Sequence, residues 1–225
     1  MRAWPLLAGL FLVGCAKSPL NPDDDATRLI FRMSVDGQVR SDYVYIFAIR
    51  TSTDLNPTTD GPLPVVAFPT NNGFLTGNAN YFVRWTPETR QYTLYKFTDS
   101  SLSFFNAVGI PLNSLDVTTG SKTLGFELSL NQLADSVADA NALQSIQVNL
   151  LTMNRLLDPS SGSSRIIDSL GNNQNISEIN SFVRIPLATS QVYDNSRFSF
   201  LEPTTADTND PDLDIRDWSI EVRNQ

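Results

Sequence analysis

The chain has 225 residues, with 16 Lys+Arg against 24 Asp+Glu, a single cysteine and no histidine. That acidic balance repels phosphate backbones and sets nucleic acid aside as a partner. With no imidazole and one thiol, the sequence offers no Ser-His-Asp or Cys-His nucleophile, no zinc site of the Cys/His type and no disulfide.

In chain order, the first signal is an N-terminal apolar run from Trp4 to Val13 behind Arg2. About ten residues suit a secretory signal and fall short of the roughly 20 that a spanning helix needs. The run ends in Leu12-Val13-Gly14-Cys15, which resembles a bacterial lipobox. That resemblance implies removal of residues 1–14, a lipid on Cys15, and a palmitate-type membrane anchor in the bacterial cell envelope. Ala16 follows the cysteine where some bacteria use an aspartate for inner-membrane retention, so the outer membrane or cell surface is the expected site. Losing Arg2 leaves 15 Lys+Arg against 24 Asp+Glu. Residues 15–26, with two prolines and Asp23-Asp24-Asp25, read as an extended, solvated tether. The expected organisation is a signal peptide (1–14), a tether (15–26) and one β-sandwich domain (27–225).

Beyond the tether the apolar period becomes two. Leu29, Phe31, Met33 and Val35 alternate with polar residues as a half-buried strand, and Asp36-Gly37 follows as a hairpin-type turn signal. Tyr43 to Ile49 is apolar on both faces and predicts a strand packed on each side. Residues 51–64 read as a long loop, Val65 to Phe68 as a short strand, and 69–79 as another loop. Tyr81–Trp85 and Tyr92–Phe97 form the clearest hairpin, which sets Trp85 opposite Tyr92 and Val83 opposite Leu94.

Leu124, Phe126, Leu128 and Leu130 mark a further one-sided strand. Asn131 to Leu143 predicts a helix capped by Asn131, with Leu133 and Val137 on one face. Ser145–Met153 returns to strand, Ser164–Leu170 suggests a turn or two of helix, and strands follow at 181–185, 192–193, 197–201 and 218–222. No fixed-period repeat interrupts this. The expected fold is mainly β: an antiparallel β-sandwich or jelly roll of about ten strands with one or two short helices. In layout alone it is loosely similar to family 9-type carbohydrate-binding β-sandwiches, and layout does not carry function.

Three sets of residues are candidates for chemistry. Asp210, Asp212 and Asp214 alternate in an acidic loop, with Glu221 twelfth from Asp210, a spacing similar to a helix–loop–helix calcium loop. Ile215 stands where that loop needs glycine, and Trp218, Ile220 and Val222 alternate as a strand with Glu221 outward. The loop is therefore a candidate calcium site of another kind, and no cofactor is otherwise required. Trp85 and Tyr92 would suit a sugar-stacking platform if solvent-facing, or the core if not. Glu88, Glu127, Glu178 and Glu202 supply carboxylates for a glycosidase-type pair, without a recognisable catalytic context. The leading expectation is a non-catalytic ligand-binding or structural module on a lipid anchor, meeting a glycan or an envelope protein. The alternative is a carbohydrate-active enzyme using an Asp/Glu pair.

Overall fold

The computed structural model describes residues 26–66, 72–156, 165–171, 181–202 and 207–224. Cys15, the signal segment and the tether up to residue 25 lie outside them, as do Phe68 and Glu178.

Two antiparallel sheets face each other across an apolar core. The first is built on β1 (Arg28–Val35), flanked by β9 (Thr123–Ser129) and β14 (Ile215–Arg223), with β13 (Gln191–Asp194) and β8 (Asn113–Ser114) at its edges. The second runs β11 (Ile167–Ser169), β10 (Ser145–Met153), β2 (Val44–Ser52), β5 (Tyr81–Thr86), β6 (Gln91–Phe97) and β7 (Phe105–Gly109). β12 (Val183–Pro186) shares the outer side of β10 with β11, pairing residues 145–148 while β11 pairs 151–153. A two-stranded ribbon, β3 (Pro62–Pro64) with β4 (Leu75–Gly77), forms a small third sheet that packs on the outer face of the second. The mainly β sandwich anticipated from the period-two pattern is what forms, with fourteen strands among the described residues.

The alternation in β1 works as expected: Leu29, Phe31, Met33 and Val35 all point into the core. There Phe31 stacks on Phe126 at a centroid distance of 5.0 Å, and Phe47 meets Phe126 edge-on at 4.7 Å. Such pairs add about 0.5–1.5 kcal/mol each beyond their burial. β2 is packed on both faces. Tyr45, Phe47 and Ile49 fill the space between the sheets, while Ile46 and Ala48 enter a second cluster with Phe74, Phe82 and Leu151 on the far side. The hairpin register is also as read, Trp85 opposite Tyr92 and Val83 opposite Leu94.

Several local expectations are overturned. Asp36-Gly37 does not close a hairpin, because β1 pairs with β9 and β14 whereas β2 belongs to the other sheet. Its backbone turns instead against the acidic loop, Asp36 N–H donating to Asp214 O and Gly37 N–H to Pro211 O. A Cβ on Gly37 would overlap the Asp212 carboxylate, so glycine is required for that close approach. The 131–143 helix is broken into a 3-10 turn, Leu130–Leu133, and α1 (Val137–Ala142). Ser129 and Ser136 supply the caps in place of Asn131. Leu133 is buried but Val137 is exposed, so the two share no buried face. The helical turn expected at 164–170 contains strand β11, and the strand expected at 197–201 is a succession of turns. The loops at 51–64 and 69–79 contribute the ribbon β3–β4, while Val65 is not in a strand.

Candidate metal centre

The acidic loop 207–214 leads into β14, and its two halves are held in different ways. Leu213 N–H and Asp214 N–H both donate to Asp210 O, curling the chain back on itself. On the outer side, Asp210 Oδ2 accepts from Tyr43 Oη at 2.6 Å, and Asp212 Oδ1 accepts from Gln38 N–H at 2.8 Å. Arg40 adds an ion pair to Asp212 at 3.6 Å. On the inner side, Thr152 Oγ1 donates to Leu213 O, drawing that end of the loop onto β10.

The inward half converges on residues distant in sequence. Asp168 sits on β11 opposite Thr152. Its Oδ2 accepts from Ile215 N–H at 2.7 Å and its Oδ1 from Ser169 N–H at 2.8 Å, so one carboxylate links β11 to the start of β14. Glu202 follows a turn fixed to the end of β11, where Gly171 N–H donates to Leu201 O. Carboxylate oxygens of Asp168, Glu202 and Asp207 lie within 4.8 Å of one another. Asp214 adjoins them, its Oδ1 accepting from Asp207 N–H at 3.4 Å.

Solvent scarcely reaches this group: Asp168 and Glu202 are 0 % exposed, Asp214 1 % and Asp207 7 %. No N–H or O–H reaches either Glu202 oxygen among the described residues. Among the described residues, the one ion pair to the group comes from Arg216, 3.9 Å from Asp214 Oδ2 and shared with Asp36. The acids respond as burial and mutual repulsion dictate. Burial, then the Asp207 charge, holds the Asp168 carboxyl well above its usual range. Burial, followed by the charges of Asp168, Asp207 and Asp214, pushes Glu202 up to about 11. Asp214 rises to about 6, chiefly through burial. Such a set is compatible with two fillings, retained protons or a hard cation that takes oxygen ligands.

Of the alternating trio, only Asp214 therefore reaches the centre. Asp210 and Asp212 are engaged on the rim, because the tight turn at Asp210 breaks the period that would have aligned the three side chains. Glu221 is remote from it, bound to Arg223 on the outer face of β14. Trp85 and Tyr92 are 5 % and 3 % exposed and belong to the core, where Tyr92 Oη accepts from Gly125 N–H. Neither presents a ring face to a sugar, so their role as a ligand platform is withdrawn in favour of packing. Glu127 pairs with Arg28 at 3.8 Å, and Glu88 is exposed. Asp168 was not singled out by sequence reasoning, and Asp207 entered only as the first residue of the acidic cluster 207–214. The one available signal was an aspartate placed among apolar neighbours, Ile166-Ile167-Asp168, where a solvated carboxylate has no reason to be. Compared with family models, curated proteins and solved structures, the chain matches none.

Proposed function

We propose that this chain is a lipid-anchored, non-catalytic module of a bacterial cell envelope, held by lipid on Cys15 and working through contacts made by its β-sandwich. The observation that carries the non-catalytic reading is the closure of the acidic centre. General acid–base chemistry needs a carboxyl within hydrogen-bond reach of a substrate, and Asp168 and Glu202 are sealed from solvent. With Trp85 and Tyr92 in the core, an envelope protein is a better-supported partner than a glycan. The exposed apolar side chains of Val108 in edge strand β7 and of Phe104 and Ile110 flanking it give such a contact its area.

The test joins the anchor to the absence of catalysis. Radiolabelled palmitate should enter the wild-type chain in cells and be lost in Cys15→Ala; equal labelling of the variant refutes the anchor. Hydrolysis of a polysaccharide panel, abolished by a single Asp or Glu substitution, would replace the module with the enzyme.

A further inference from the structure

We infer that Asp168, Glu202 and Asp207, with Asp214 beside them, form a binding site for one calcium ion that joins three separate segments of the fold. This goes beyond the anchored-module reading and does not depend on where the chain resides.

Four observations support it. The donor set is wholly carboxylate oxygen, which selects hard cations over zinc or copper. The oxygens lie within 4.8 Å of one another, the span of two calcium–oxygen bonds of roughly 2.3–2.6 Å placed on opposite sides of an ion. Glu202 is fully buried, one of its oxygens lies in the cluster, and neither oxygen has a hydrogen-bond donor among the described residues, leaving its ligand capacity unspent. Finally, acidic groups outnumber basic ones: among the described residues, four buried carboxyl groups have one ion-pair partner, Arg216 at 3.9 Å from Asp214, and a divalent cation offsets that excess. The site's closure favours calcium over magnesium, which gives up its water shell reluctantly and is seldom held by an all-protein cage.

Three segments meet at the ion: β11 through Asp168, the turn after β13 through Glu202, and the loop before β14 through Asp207 and Asp214. A bound ion therefore ties the outer strand of one sheet to the start of a central strand of the other. A domain whose sequence holds a single cysteine has no internal disulfide to do the same. Ligands that bind only the folded state stabilise it by mass action.

The experiment uses the full chain purified in detergent, stripped with EDTA, then dialysed against calcium chloride or magnesium chloride. Expected results are about one calcium retained per chain and a melting temperature about 5–10 °C higher with calcium at ~100 times its dissociation constant. Magnesium at the same concentration should give less than half that rise. Glu202→Gln should lose the retained calcium and the thermal response, whereas Asp210→Asn/Asp212→Asn should keep both. If Glu202→Gln fails to fold by circular dichroism, Asp207→Asn is measured in its place under the same expectation. Wild type that retains no calcium, or gains as much from magnesium, overturns the assignment. So does a response lost in the rim double variant and kept in the Glu202 or Asp207 variant, since that would place the ion on the outer half of the loop.

Discussion

Asp210 and Asp212 on the outer half of the acidic loop are met by Tyr43, Gln38 and Arg40, while Asp207 and Asp214 at its two ends turn in toward Asp168 and Glu202. The same residue type within eight positions thus has two fates. On the rim, each carboxylate has a donor and water nearby, and charge is cheap to keep. Inside, the carboxyl groups have few donors and chiefly each other, and charge is retained only with a counter-ion. The difference arises from what the fold places opposite each side chain, since the acidity of the segment is uniform.

The largest expected effect is a difference in sign between the two halves. In EDTA at pH 7, Glu202→Gln should stabilise the protein by about 2–3 kcal/mol, the cost of holding a carboxyl protonated well above its ordinary titration point. The gain should shrink as pH falls toward 4.5, because the unfolded chain then holds the proton as well. Asp210→Asn should instead destabilise, by under about 1 kcal/mol, through its weakened bond from Tyr43. Urea midpoints at pH 7 and pH 5 measure both, and loss of stability in Glu202→Gln would break the distinction.

Next comes the latch that turns the inner half inward. Thr152 is fully buried, and its hydroxyl serves Leu213 O. Thr152→Val keeps the volume and leaves that carbonyl unsatisfied, an expected cost of about 1–3 kcal/mol by chemical denaturation. An unchanged midpoint would mean that the inner half of the loop needs no tie to β10.

Tyr92 sharpens the comparison with the smallest effect, as a buried acid that is neutral and already partnered. Burial pushes its phenol up to about 12 against an ordinary 10. The unfolded chain therefore ionises first, and stability is lost as pH rises from about 10 to 12. Relative to Tyr92→Phe, the wild type should lose about 1 kcal/mol more between pH 8 and pH 11, measured by thermal melting at both. Equal losses would mean that Tyr92 ionises as readily in the fold as in the unfolded chain.

The sandwich was legible because its strands obey a period of two over five residues or more. β1, β5, β6, β9 and β10 can be read almost to the residue from apolar alternation and β-branched or aromatic content. The short element β11 was not distinguishable from a turn of helix, because three residues establish no period. Its strand geometry comes from pairing with β10. The buried acidic centre was half legible. An acidic loop ahead of the last strand drew attention to Asp214, but Asp168 and Glu202 lie 46 and 12 residues before it. Sequence spacing records neighbours along the chain, whereas this centre is assembled by β11 docking on β10 and by the turn pinned at Gly171.

β10 is buried along its whole length, yet its outer face begins with Ser145, Gln147 and Asn149. Their side chains donate to carbonyls of Asp54, Thr59, Pro62 and Ser181, and Asn149 Oδ1 receives Leu170 N–H. The crossing between β2 and β3 is thus fastened to the sheet largely by amides and a hydroxyl, where the far end of the same face is fastened by hydrocarbon. Local release of that crossing breaks hydrogen bonds while exposing little apolar surface, so its opening equilibrium is only weakly sensitive to denaturant. Hydrogen exchange of the crossing is then expected to change little with sub-denaturing urea, on a path separate from global unfolding of the sandwich.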